Sequence, residues 1–171
     1  MENTRRKSLS GARFLSFELE SEVYCIDILK AKELMGWTEV TPLPRTPPHI
    51  RGIINLRGQV IPIVDLRVKF GLDIRENTKR TSIIVIDSEF EGSSLLLGVV
   101  VDAVREVVNI PEEKILKIPY INARIKAEYI RGIADSADGM LIILDVEHAL
   151  NDDDFAVLRN IEKDAEIAKP I

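Results

Sequence analysis

Seventeen residues of this chain recur at a fixed offset of 80 with no gap: 50–66 read IRGIINLRGQVIPIVDL and 130–146 read IRGIADSADGMLIILDV. The identical positions are Ile50/Ile130, Arg51/Arg131, Gly52/Gly132, Ile53/Ile133, Ile63/Ile143 and Asp65/Asp145, and most of the others exchange one apolar residue for another. A repeat at a fixed offset implies two copies of one structural unit, and two copies are too few for an open solenoid. The chain is therefore expected to form a pseudo-symmetric pair of small units, with a seam between them and two similar outer faces.

With 171 residues there is room for one domain or two small ones, and a chain of that length buries roughly 70% of its extended surface. A net charge of −5 argues against duplex nucleic acid as a partner, since neutralising phosphates requires a basic face. The single cysteine, Cys25, rules out an internal disulfide framework and suits a reducing compartment. It reads as a half-buried strand residue; no triad-like set of residues accompanies it. The segment MENTRRKSLSGARF lacks the apolar region of a secretory signal, and nowhere do about 18 apolar residues run together, so a cytoplasmic protein without a membrane span is expected.

Residues 1–12 are polar and read as a disordered tail. From Phe14 onward the pattern is short strands. Leu15, Phe17 and Leu19 alternate with polar residues, and Tyr24, Ile26 and Ile28 alternate on the return. Four of the eight prolines fall between Thr41 and Pro48, which makes that stretch an extended connection. Ile50–Leu56 and Val60–Leu66 pair around Arg57-Gly58-Gln59, where Gly58 supplies a positive φ. Pro62 inside the second of these strands predicts an edge or a bulge, because proline cannot donate to a ladder.

Lys69–Lys79 is polar and reads as a bridge. Ser82–Ile86 and Leu95–Val101 are continuous apolar runs, as expected of strands buried on both faces at the seam. Asn109–Glu113 starts one short helix, and Asp152–Asp154 cap a closing helix whose apolar residues Phe155, Leu158 and Ile161 have helical spacing. The predicted organisation is a first unit over 13–75, a second over 80–150, and a helix and tail over 151–171, each unit a small five-stranded barrel. Exchange of strands between the barrels is left open.

No catalytic constellation emerges. His49 and His148 stand alone and read as surface or packing residues. Asp135–Gly139 lacks the spacing and the distal glutamate of a calcium loop and reads as a hairpin turn. No phosphate loop, dinucleotide fingerprint or nucleophile elbow is present. A small barrel that binds single-stranded nucleic acid needs stacking platforms and a positive groove; aromatics are 5% of residues and the charge is acidic. No metal and no cofactor is expected. What remains is divergence between the copies. Aligning Cys25–Leu34 with Gly98–Val107 places Glu33 opposite Glu106, whereas Arg57 falls opposite Ala137. An isolated turn arginine is ordinarily just solvated. Its functional alternative is an Arg57–Glu33 pair that adds little stability and shapes a recognition surface.

The segment IRGIINLRGQVIPIVDLRVKFGL over 50–72 resembles the signature of the CheW chemotaxis coupling proteins. So do YCIDILKAKELM at 24–35, LLLGVVVDAVREVV at 95–108 and YIRGIADSADGMLIILDVEHAL at 129–150, in the expected order. The resemblance spans 14–150, with no receiver or kinase domain attached, and departs in the closing helix and at Trp37, where many relatives carry another aromatic. It implies two SH3-like β-barrels around a shared hydrophobic seam. It further implies an adaptor, not an enzyme, that joins the regulatory domain of the histidine kinase CheA to the cytoplasmic tip of methyl-accepting chemoreceptors, recruited to membrane-associated arrays. An equivalent adaptor of a surface-motility array is the alternative within that class.

Carried onto this chain, the receptor-binding groove comprises Ile28, Ala31, Glu33, Leu34, Arg57, Leu97, Val104 and Val107. Gly52 matches a position linked to partner binding, and Asn55, Gly58 and Gly132 join it as binding or structural residues. Kinase contact falls to the barrel ends.

Overall fold

The computed structural model describes residues 13–73, 76–117, 127–137 and 139–168; the tail expected over 1–12 lies outside them. Ten strands form two five-stranded sheets. They are β1 (Arg13–Leu19), β2 (Glu22–Asp27), β3 (Ala31–Gly36), β4 (Ile50–Leu56), β5 (Gln59–Asp65), β6 (Ser82–Phe90), β7 (Ser93–Val101), β8 (Ala103–Asn109), β9 (Ile130–Ser136) and β10 (Gly139–Leu144). One sheet runs β8-β1-β2-β10-β9 and the other β3-β6-β7-β5-β4. Two one-turn helices, α1 (Leu66–Lys69) and α2 (Val146–Ala149), follow β5 and β10, and α3 (Asp152–Ala168) closes the chain.

The two sheets do not coincide with the sequence halves 13–75 and 80–150. β1 and β2 share a sheet with β8, β9 and β10 of the second half, through β1–β8 and β2–β10, while β3, β4 and β5 share one with β6 and β7, through β3–β6 and β5–β7. Strand exchange, left open by the sequence, runs in both directions. Each exchange is sealed by a parallel ladder, Ile63 opposite Gly98 in one sheet and Ile143 opposite Cys25 in the other. The registers agree throughout. Leu34 faces Ile84 where Val107 faces Leu15, and both edge strands carry a bulge at equivalent places, between Ala31 and Glu33 and opposite Leu15 and Phe17.

Burial follows the exchange. One large cluster joins both sheets: Leu15, Phe17, Tyr24 and Ile26 from one meet Ile84, Ile86, Leu97 and Val99 from the other. Two smaller clusters lie within single sheets, around Phe14, Cys25 and Ile143 and around Ile61, Ile63 and Ile83. The apolar runs over 82–86 and 95–101 are therefore double-faced because one face meets the seam and the other a sheet's own core. Cys25 is fully buried rather than half-buried, and burial pushes its thiol up to about 12 despite Arg131.

The repeated IRGI segments have a backbone reason. Thr41 crosses β4 and exchanges two hydrogen bonds of 2.9 Å with Ile53; Leu116 crosses β9 and exchanges bonds of 2.8 and 2.9 Å with Ile133. At Gly52, with φ +142°, an added Cβ would lie 1.9 Å from the Thr41 carbonyl oxygen, and at Gly132 it would lie 2.9 Å from that of Leu116. Only glycine admits the crossing chain. The first crossing also resolves Pro62. Of the two expected placements the edge is not observed, since β5 is an interior strand, but the β4–β5 ladder carries a bulge one pair away, between Ile50 and Gly52. Ile53, opposite Pro62, gives both backbone groups to Thr41, so the missing N–H orphans no acceptor in that ladder.

α3 is locked to the second sheet. Asn151 and Asp154 form a reciprocal capping box, with the Asp154 N–H donating to Asn151 Oδ1 at 2.8 Å and the Asn151 N–H to Asp154 Oδ2 at 3.1 Å. The cap is thus Asn151, not the aspartates. Asp154 is buried and accepts from Lys69 Nζ at 2.8 Å and lies 2.6 Å from His49 Nε2, so His49 is a latch rather than a bystander. Phe155 stacks on Phe90 at 4.9 Å, and Arg159 donates to the backbone of the β6–β7 turn.

Gly52→Ala should destabilise the fold by about 3 kcal/mol or more, since it adds both a backbone clash and a strained φ. Gly132→Ala, without the positive φ, should cost less; urea unfolding of both variants checks the order. Burial pushes the Asp154 carboxyl up, but bonds from Lys69, the Asn151 backbone and His49 outweigh it and hold it below its usual value. A carboxylate whose folded pKa is depressed stabilises above its unfolded pKa and loses that contribution as pH falls through the folded one. Acid unfolding of Asp154→Asn, followed by circular dichroism below about pH 4, should show a shallower loss of stability with falling pH than wild type.

Candidate functional site

The β4–β5 hairpin turns through two residues, Arg57 and Gly58, both with positive φ (+51° and +84°). This is the primed turn that matches strand twist, and the Asn55 side chain accepts from the Gly58 N–H at 2.8 Å to hold it. The turn aims Arg57 at Glu33 on β3, at the opposite end of the same sheet's strand order. The contact is bidentate: Nη1 to Oε1 at 3.0 Å and Nη2 to Oε2 at 2.5 Å. Hydrogen bonding from Arg57 holds the Glu33 carboxyl below its ordinary value, and the same contact raises the guanidinium. The Arg57 side chain is 72% exposed, so the pair is presented to solvent.

Around it lie other residues singled out from the sequence. Ile28 and Ala31 are half-buried and pack on the seam core, and Leu34, next to Glu33, is 49% exposed. Val104 and Val107 occupy the equivalent places on β8, the edge strand of the other sheet. Val104 packs on the core and Val107 is 45% exposed. Leu97 corrects the sequence reading: it is fully buried inside the seam and lines no open surface, because β7 lies in the interior of its sheet. Gly52 and Gly132 are buried beneath the crossing segments, while Asn55 and Gly58 are exposed in the turn.

Sequence reasoning missed the polar groups of the seam. Asp65 is fully buried and accepts four hydrogen bonds: from the Arg67 N–H, from Arg67 Nε and Nη2, and from Arg51 Nη1, at 2.9–3.0 Å. Arg67 also reaches Asp102 at 2.9 Å, and Asp102 accepts from the Glu20 N–H. On the other side of the seam the equivalent helix residue is Glu147, which pairs with Lys30 at 2.5 Å. The polarity is reversed, and beside this pair the sheets part in a cleft of about 150 Å³ floored by Ile26, Ile86, Leu144 and Val146. The recurrence of Asp65 at Asp145 was the only signal for either site. Among the described residues no group of three or more His, Cys, Asp or Glu side chains is placed to hold a metal ion.

Two equivalent sheets interlocked by strand exchange, with their distinctive polar groups on turns and edges, define a duplicated β-scaffold whose working parts are surfaces. The CheW-like domain model matches residues 13–154. Chemotaxis protein CheW of Klebsiella aerogenes is 38% identical over 156 residues, covering 90% of each chain, and its namesake in Rhizobium meliloti is 30% identical over 86% of this chain and 93% of its own. The crystal structure of the scaffolding protein TtCheW from Thermoanaerobacter tengcongensis superposes with a TM-score of 0.70 at 37% identity, covering 79% of this chain and 89% of that one. The chain belongs to the CheW family of chemotaxis scaffold proteins. Most of α3 lies beyond the matched domain.

The two arginine systems should separate on substitution. Arg67→Ala, which removes two of the four hydrogen bonds to the buried Asp65 and leaves Arg51 as its one remaining charge partner, should cost about 3 kcal/mol in chemical unfolding. Arg57→Ala should leave the unfolding midpoint unchanged, because an exposed pair is screened by solvent.

Proposed function

We propose that this protein couples the histidine kinase CheA to the cytoplasmic tips of chemoreceptors in membrane-associated arrays, as a cytoplasmic adaptor without catalysis of its own. The observation that carries this reading is the bidentate Arg57–Glu33 pair. It is fixed in geometry by a primed turn, exposed, and absent from the second copy, where Ala137 stands in place of Arg57. Such a pair contributes specificity rather than stability.

A receptor tip is a helical hairpin, and a helix docks by laying apolar side chains into a groove with charges at the rim. Ile28, Ala31 and Leu34 supply the apolar contacts beside the pair, with Val104 and Val107 on the equivalent edge strand. Leu97 supports this surface from behind and does not touch the partner. The outer ends of the two sheets are the surfaces assigned to the regulatory domain of CheA. Among the described residues no helix is long and apolar enough to cross a membrane, so on this reading the protein reaches the array through its partners.

Arg57→Glu should reduce receptor-dependent kinase activation at least about tenfold in a reconstituted receptor–CheA assay while leaving the fold intact. Binding of the isolated CheA regulatory domain in a pull-down should persist. Full activation by the variant would remove Arg57 from the receptor surface, and loss of kinase binding would move it to the other interface.

A further inference from the structure

The repeat gives this protein an internal template for an arginine site. Asp65 and Asp145 are equivalent: Asp65 is the last residue of β5, Asp145 directly follows β10, and each caps a one-turn helix through its side chain. Around Asp65 the carboxylate is saturated by two guanidiniums, Arg51 and Arg67, the latter donating through both Nε and Nη2. Around Asp145 the arrangement is incomplete. Position 147 holds a glutamate where the first copy has Arg67, and the Arg51 equivalent, Arg131, turns to Glu112 at 3.6 Å and to the Phe14 ring. Among the described residues Asp145 accepts only from His148, through its N–H at 3.2 Å and its ring Nδ1 at 2.6 Å.

The difference opens space. The first copy buries Arg67 between its aspartates, and the second has the 150 Å³ cleft, with Asp145 and Glu147 on its wall and Ile26, Ile86, Leu144 and Val146 as its floor. We propose that this cleft receives an arginine side chain of a partner protein, whose guanidinium bonds Asp145 as Arg67 bonds Asp65 and whose stem lies on the apolar floor. The volume suits one long side chain and not a helix. Arginine is favoured over lysine because the template contact uses two nitrogens of one planar fork, which an ammonium cannot reproduce. Charge complementarity agrees: Asp27, Asp87, Asp145 and Glu147 line the cleft against Lys30 and Arg131, and Lys30 is already tied to Glu147. Nor does Arg131 exclude a guest, since Asp65 accommodates two guanidiniums at once. Arg57, Glu33 and Leu34 do not line this cleft, so the inference stands apart from the receptor surface assigned to them.

The test is an NMR titration of the full chain with N-acetyl-arginine amide, with the citrulline and lysine analogues as controls. Saturable shifts at Lys30, Ile86, Asp145 and Val146 with the arginine probe, at least about tenfold weaker with either control, are expected. Asp145→Asn keeps the helix cap but not the charge and should abolish them. Glu147→Arg should also abolish them by filling the site from within, and a raised thermal midpoint would show that the fold survives. Equal response to citrulline, or shifts that persist in both variants, would overturn the proposal.

Discussion

The parallel ladders between β5 and β7 and between β10 and β2 are what the rest of the molecule hangs on. Each joins a strand from one half of the chain to a strand from the other, so neither half owns a complete sheet. Cutting the seam would not release two domains; it would break both. The seam core is correspondingly continuous, with Phe17 and Tyr24 of one sheet packed in the same cluster as Ile84 and Leu97 of the other. On the proposed function the protein holds two partner surfaces in fixed relation, and mutual completion of sheets achieves this more firmly than a domain interface, where relative motion is the default. The cost is kinetic, because pairings between distant parts of the chain must form before any sheet closes its core.

Symmetry also shows where the two copies were free to differ. Positions bearing on the backbone are kept: Gly52 and Gly132 under their crossing segments, Ile53 and Ile133 bonded to those segments, Asp65 and Asp145 as helix caps. Side chains at the seam changed partners. Arg67–Asp102 on one side and Lys30–Glu147 on the other join helix to strand connection with opposite polarity, one pair closed off and the other partly open. A buried ion pair is weak evidence for stability but strong evidence for a fixed arrangement, since losing one member leaves an uncompensated charge. The first side is therefore the stiff edge of the seam and the second the accessible one.

The strand count, the hairpin turn, the closing helix and the Arg57–Glu33 pair were legible because each depends on local pattern or on comparison of the two copies. The pair came from the failure of symmetry at Ala137, and the structure joins the two side chains through both oxygens of Glu33. The division into 13–75 and 80–150 reads continuity into a fold that has none, since periodicity says that a strand exists and not which strand it pairs with. Of the edge or bulge expected at Pro62, the bulge lies one pair away and the edge is absent: the edge alternative assumed that β4 would spend its hydrogen bonds on β5, whereas Ile53 spends them on Thr41. Leu97 and the His49–Asp154 latch depend on contacts between residues far apart in sequence, which no window of residues contains.

Arg57 sits where backbone chemistry asks for something else. A two-residue primed turn needs positive φ at both positions and is most easily made by asparagine and glycine, yet this one opens with arginine at φ +51°. The side chain then extends to Glu33 and stays 72% exposed, in a contact that solvent screens. Folding stability explains neither the strained backbone nor the fixed guanidinium. The equivalent turn of the second copy reaches the same connection without an arginine, its Ser136 facing Gly139 across the hairpin. On the proposed reading, a residue that strains its backbone, returns little stability and has no symmetry mate serves by what it presents outward. In a scaffold, presentation is the function, and the bidentate geometry fixes which way the charge faces.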